Sequence, residues 1–258
     1  MDFRARRQLA VLVIVAFAAV GIGVFAFRVG LPEPSCRDNR QNQGEEGVDC
    51  GGPCISCALA KPKDLEVFWT RVVTARTNTY DVAAEVKNPN VKLAAVSFEY
   101  EFKILDAAGA AVVRRRGLGF AYPGEVFHLT EVGLISGRSI RAAAIAIRDV
   151  RWAVAEVSAP DLVAGSREYT VEEEGGFRAS VVRAIVANRS LVQLRNVTAS
   201  ALAFDSAGNL LGVHRTMVDE LAAGSSQPVQ FRWPTVFPGE VASLIVEVRS
   251  PALLPSGP

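Results

Sequence analysis

Histidine is nearly missing from this 258-residue chain, which has only two, His128 and His214. That leaves little room for His-based acid–base chemistry or a His-rich metal centre. Charge of one sign is not in excess either: 28 Lys and Arg face 27 Asp and Glu, so the basic face that nucleic-acid binding needs is lacking. Neither G-x-x-x-x-G-K-[ST] nor G-x-G-x-x-G occurs, which removes two phosphate-cradling loops. Ser136 lacks the flanking G-x-S-x-G elbow, and no H-E-x-x-H pattern surrounds either histidine. Both histidines read as exposed strand residues. No amphipathic helix longer than two turns follows the N-terminal segment. The sequence predicts no enzyme. An apolar fraction of 50% nevertheless excludes a disordered chain.

The one long apolar run lies at the start, with 19 uncharged residues from Leu9 to Phe27. As a helix this run is about 28 Å long, near the roughly 30 Å hydrocarbon core. Arg4, Arg6 and Arg7 precede it and Arg28 follows. Basic flanks stay inside, so the reading is a cytoplasmic N-terminus over 1–8, a transmembrane anchor over 9–28 in contact with the lipid bilayer, and extracytoplasmic domains beyond. A cleaved signal peptide would have a shorter apolar stretch and a small-x-small site, but bulky Phe25 and Phe27 stand there. A buried core helix is the third reading.

After a spacer over 29–35, all four cysteines fall within 22 residues, Cys36–Cys57, spaced Cys36-x13-Cys50-x3-Cys54-x2-Cys57. Four cysteines allow three pairings, and spacing does not choose among them. Two disulfides suit an oxidising compartment and supply order that a module this short cannot gain from packing. A four-thiolate zinc site fits the Cys54-x2-Cys57 half only. Asp38, Glu45 and Asp49 are candidate oxygen ligands for calcium, should the bridges fold the loop back, although no EF-hand spacing is present.

Asn42-Gln-Gly-Glu45 followed by Val48-Asp-Cys-Gly-Gly-Pro-Cys-x-x-Cys57 resembles a small "DCGGPC" cysteine module of bacterial and archaeal surface proteins. The resemblance implies a surface location and no enzymatic activity.

From Leu65 the period becomes two. In Val96-Ser-Phe98-Glu-Tyr100-Glu-Phe102-Lys-Ile104 every even position is apolar, the signature of a strand with one wet face. Tyr80–Val86 alternates likewise, and Val67–Ala75, Val126–Val132 and Ile140–Arg148 are further strand candidates. The pattern then recurs. Val86-Lys-Asn88 is matched by Val186-Ala-Asn188, Asp106–Gly109 by Asp205–Gly208, Pro123-Gly124 by Ala223-Gly224, and Ala146–Arg148 by Glu247–Arg249, at offsets of 99–101 residues. Four matches in order indicate a duplicated domain, each copy the size of a β-sandwich of about seven strands. Copies are expected over 65–158 and 168–250, with a linker near Ser158–Arg167. Strands of the second copy are expected at Glu168–Glu173, Arg178–Ala187, Asn196–Asp205, Leu210–Arg215, Pro228–Trp233 and Val241–Arg249.

Each copy resembles the FxLYD-type and related Ig-like sandwich domains. Phe102-Lys-Ile104-Leu105-Asp106, Gly109 and Pro123-Gly124-Glu125 carry the likeness in the first copy. Leu202-Ala-Phe204-Asp205, Gly208 and Ala223-Gly224 carry a degraded version in the second. The resemblance implies a non-catalytic exported module. The expected fold class is all-β: two tandem Ig-like β-sandwich domains after a single transmembrane helix and a short disulfide-rich module.

Smaller features have structural readings. Asp106 and Asp205 start tight turns in which Gly109 and Gly208 take positive φ. Arg114-Arg115-Arg116 reads as a charge-protected sheet edge, because successive strand residues alternate faces. Glu172–Glu174 before Gly175-Gly176 reads as a hairpin end. Trp69, Trp152 and Trp233 read as packing residues, with a glycan platform as the alternative. Asn188-Arg-Ser190 and Asn196-Val-Thr198 match the glycosylation sequon, which matters only in a eukaryotic host. The expected role is a membrane-anchored scaffold or interaction protein of the cell envelope with a protein or glycan partner. The alternatives are a calcium- or glycan-binding surface protein and an accessory subunit of an envelope enzyme or transporter.

Overall fold

The computed structural model describes residues 3–30, 35–155 and 158–254, with side chains in the N-terminal helix described at Gln8 and Val11–Phe25. Contacts divide the chain into two units, Met1–Cys57 and Ala58–Pro258.

The first unit begins with helix α1, Phe3–Gly30. Here the anchor expected over 9–28 is overturned. Among the described residues, no helix is long and apolar enough to cross a membrane. The single-pass topology and its bilayer contact fall with it. The flanking arginines Arg4, Arg6 and Arg7 have side chains outside the described residues, as do Leu9, Phe27 and Arg28. Most of the spacer lies outside as well.

The cysteine module carries two bridges, Cys36–Cys54 and Cys50–Cys57, and no cysteine is free. A single turn of helix, α2, spans Cys57–Ala60.

Among the described residues, the second unit has twelve antiparallel strands in four three-stranded sheets. In the first sandwich these are β1 (Glu66–Arg76), β2 (Thr79–Lys87), β3 (Leu93–Asp106), β4 (Ala111–Ala121), β5 (Val126–Ile135) and β6 (Ile140–Val154). The second has β7 (Leu162–Glu174), β8 (Phe177–Asn188), β9 (Leu194–Phe204), β10 (Leu210–Leu221), β11 (Ser226–Trp233) and β12 (Ser243–Arg249). Sheets β1-β2-β5 and β4-β3-β6 make the first, and β7-β8-β11 and β10-β9-β12 repeat that order strand for strand. The repeat in spacing thus coincides with a repeat in strand order. Among the described residues each copy has six strands, where about seven are expected. The linker is also shorter than expected: β7 starts at Leu162, because Leu162 and Ala164 pack on the second core and Leu162–Gly165 already pairs with β8. The tail's last residues, through Pro258, lie outside the described residues.

The cores follow from the alternation. Val82, Val86, Phe98, Phe102, Ile104 and Phe127 fill the first, and Val182, Val186, Val197, Leu221, Phe231 and Trp233 the second. The recurring Val-x-Asn is a buried clamp. The Asn88 side-chain amide donates to Leu93 O at 2.7 Å and Tyr122 O at 2.9 Å, while its Oδ1 accepts from Asn90 N. Asn188 donates to Val192 O at 2.8 Å and Leu221 O at 3.0 Å, and accepts from Ser190 N. Each amide bonds two carbonyls, one at a strand end (Leu93 or Leu221) and one in a loop (Tyr122 or Val192), so these buried backbone groups have partners. Being buried, Asn188 is no glycan acceptor. Asp106 and Asp205 behave as expected: Asp106 Oδ1 accepts from Ala108 N and Ala110 N, Asp205 Oδ1 from Asn209 N, with Gly109 at φ 80° and Gly208 at φ 77°.

Candidate functional site

Two places gather chemistry-bearing side chains, and each is described within its own unit. In the cysteine module, the bridges bring Asp38, Glu45 and Asp49 into one small loop system. Their oxygens, however, accept bonds from amides. Asp49 takes Asp38 N at 2.9 Å and Asn39 N at 3.1 Å, and Glu45 Oε2 takes Asn42 N at 3.2 Å and Asp49 N at 3.3 Å. Asp38 accepts from Arg40 N at 2.9 Å and from the Asn42 side-chain amide at 2.7 Å. The Asn42 amide holds the Asp38 carboxyl below its ordinary range. These carboxylates therefore serve as turn acceptors that shape the loop, aided by positive φ at Asn39 and Asp49. Cys36, Glu45 and Cys54 also converge, but both sulfurs belong to one disulfide, and metal binding requires thiolate.

The second place is the seam between the sandwiches. The outer face of β1-β2-β5 packs on the outer face of β10-β9-β12. Ala83, Leu202, Phe204, Leu210 and Val213 form its buried apolar cluster, with Trp69, Val73 and Ile245 against it. Trp69 meets Phe204 edge-on at 6.1 Å and donates its indole N–H to Glu85. Arg71 stacks on Trp69 at 4.9 Å and donates to Gly208 O.

A polar strip continues this seam around a cavity of about 90 Å³. His128 Nδ1 lies 2.6 Å from Glu247 Oε2, and its backbone N–H donates to the same carboxylate. Arg249 donates to Glu125 at 2.8 Å and to Phe120 O at 2.7 Å, and its guanidinium lies over the rings of Phe120 and Phe127 at 4.3 and 4.1 Å. Arg215 donates to Thr130 O at 3.1 Å, and the Tyr122 hydroxyl donates to Ser250 O at 2.9 Å. Beside the cavity, the Tyr100 hydroxyl donates to buried Glu131 at 2.7 Å, which Arg115 also reaches at 3.2 Å. Burial, then the Glu131 carboxylate, pushes the Tyr100 phenol well above its ordinary range.

This arrangement corrects the reading of both histidines as exposed. The His128 side chain is only 9% exposed, because the second sandwich covers it. His214 points into the second core beside Phe231 and Trp233, and burial pushes its pKa below the ordinary imidazole value. No hydroxyl or thiol nucleophile is hydrogen-bonded to either ring among the described residues. The cavity's charged groups are committed to each other and to backbone carbonyls.

The remaining candidates have structural places. Arg114 and Arg116 share Glu101 on one face of edge strand β4 while Arg115 turns to the other face, the alternation expected of a strand. Glu172 pairs with Arg183 and Arg232 at the β7–β8 hairpin. Trp233 is a core residue, Trp152 packs on the first core, and Trp69 holds the seam. Sequence reasoning missed the His128–Glu247 and Glu125–Arg249 pairs, whose partners lie 119 and 124 residues apart with no local pattern linking them.

No family model matches this chain, and no curated protein matches it. Among solved structures, the N-terminal CBM22-1–CBM22-2 tandem domain of Paenibacillus barcinonensis Xyn10C is 8% identical over 72% of this chain and 85% of that one, with a TM-score of 0.14. A score that low carries no argument about fold or ligand.

Proposed function

We propose that the chain is a non-catalytic interaction or scaffold module, with two Ig-type sandwiches of the FxLYD kind and a disulfide-bonded "DCGGPC" module. The observation that carries the reading is the seam. Its His128, Glu125, Glu247, Arg249 and Arg215 are used to join two sandwiches into one body, not left facing a substrate. A rigid two-domain body with loops and sheet edges exposed is suited to presenting surface to a partner. The matching strand orders and the twin Asn88 and Asn188 clamps support the Ig-type assignment.

The test is cross-linking of the full chain in its producing cell, followed by mass analysis of purified adducts. A protein partner at fixed stoichiometry is expected. A chain that stays alone, yet melts at higher temperature with calcium or an oligosaccharide, would overturn the reading, since a specific ligand raises the melting temperature.

A further inference from the structure

The outer strands of the first sandwich differ in how their free edges are protected. On β4 the three arginines are paired with Glu101 and Glu131. On β6, Arg141, Arg148 and Arg151 form no ion pair among the described residues. β6 is also 15 residues long, against 7 for its counterpart β12. On β12, the Arg167 guanidinium reaches over the edge to Leu244 O at 3.3 Å.

β6 pairs with β3 on one side and with no strand on the other among the described residues. Its register with β3 is unbroken from Ala142 to Arg148, so this stretch is a straight row of free backbone groups. Its inward side chains are under-covered: Ile140, Ala143, Ile145, Ile147, Val150 and Trp152 are only partly buried. Between β6 and β1 the sandwich opens into a groove of about 360 Å³ lined by Thr70, Arg71, Val72, Arg141 and Ala143. This is the side on which a seventh strand would continue the β4-β3-β6 sheet.

We propose that the Ala142–Arg148 edge takes an extended segment of a partner protein as a seventh strand. Main-chain bonds to β6 supply affinity, and alternate side chains supply specificity. Alternate apolar residues of the segment close over Ile145, Ile147 and the groove, and acidic residues meet Arg141, Arg148 and Arg151. A second copy of this chain is disfavoured, because it would set its own three arginines, with Asp149 as the only acidic residue on β6, against these three. The assignment rests on the interaction-module reading and adds to it the edge used and the chemistry of the occupant.

The experiment uses the full chain and two defined probes, peptides of about ten residues alternating Val with Glu or Val with Lys. Binding is read by fluorescence anisotropy, and its location by amide hydrogen exchange. The acidic peptide is expected to bind and to slow exchange within 142–148. Arg148→Glu, an exposed change that leaves the melting temperature in place, should weaken binding about tenfold, roughly 1.4 kcal/mol. Three results each overturn the proposal: equal binding of the basic peptide, protection on β4 or the loops instead of β6, and dimerisation of the chain through β6. Protection elsewhere would still leave the interaction-module reading standing, so the two failures are distinguishable.

Discussion

The two sandwiches share strand order, turn chemistry and an asparagine clamp, yet their outer faces have diverged. On β3 the outward residues are charged: Glu99 is exposed, Lys103 is half-buried, and Glu101 is covered by Arg114 and Arg116 of β4. At the same places on β9 stand Thr198, Ser200 and Leu202, buried or half-buried against the first sandwich. The other sheet shows the reverse. β2 carries Ala83, fully buried in the seam, where β8 carries Arg183, whose side chain is 47% exposed and paired with Glu172. The same face is wet in one copy and dry in the other, and which one is dry is set by which sheet faces its neighbour. A sheet covered on both faces loses its polar alternation, whereas a sheet with one wet face keeps it.

The largest effect is expected from giving the second copy the first copy's residue. Leu202→Lys places an unpaired charge in the dry seam and should cost about 4 kcal/mol or more, read from urea denaturation, with the sandwiches then unfolding in separate transitions. The converse change, Lys103→Leu, should stay within about 0.5 kcal/mol of the parent, because that face is solvated. A large loss from the second, or none from the first, would break the comparison.

The polar side of the seam predicts a smaller loss. Arg249→Ala leaves Glu125 and Glu247 facing each other, each under 20% exposed, and should cost about 2–3 kcal/mol. Salt should not restore it, since the pair is shielded from solvent.

Two buried titratable groups, Asp81 in the first copy and His214 in the second, respond to pH in opposite directions. Asp81, buried at the β5 bulge where Gly133 N donates to it at 2.8 Å, has its pKa pushed up by burial from 3.8 to about 6. The protonated form is the favoured one in the folded chain, so this group's contribution is fully present below pH 4 and is lost as pH rises through about 6. Asp81→Asn keeps an acceptor for Gly133 and should stabilise the chain at pH 7 by up to about 3 kcal/mol, an advantage that shrinks toward pH 4. His214 works the other way. Burial depresses its pKa below the unfolded value of 6.5, so the unfolded chain takes up the proton first and stability falls as pH drops below that value. His214→Gln should flatten that acid loss. Melting temperatures between pH 4 and 8 check both, and parallel profiles for parent and variants would remove these assignments.

The fold was legible where alternation is strong. Val96–Ile104 with its Glu and Lys partners marks β3, and Asp-x-x-Gly marks both β3–β4 and β9–β10 turns. The strand beginning at Ala111 was legible only through its arginines, since Gly117 and Gly119 blur the pattern by making room for the Tyr100 and Phe98 rings. The seam carried a signal that alternation hides. Ala199-Ser-Ala-Leu-Ala-Phe204 has small or apolar residues on both faces where its twin has charges, which is how a doubly covered strand reads. The polar cleft left no such trace, because His128 and Glu247 meet only through the stacking of two domains. At the N-terminus the uncharged run Leu9–Phe27 reads as a membrane span, yet no helix among the described residues is long and apolar enough to cross one.

Thiol labelling at the twin positions Ala83 and Arg183 tests the stacking most directly, with the native disulfides intact. In the folded chain, Ala83→Cys should label orders of magnitude more slowly than Arg183→Cys, and the two should label equally fast in denaturant. Equal rates under native conditions would mean that the two sandwiches do not share a buried face.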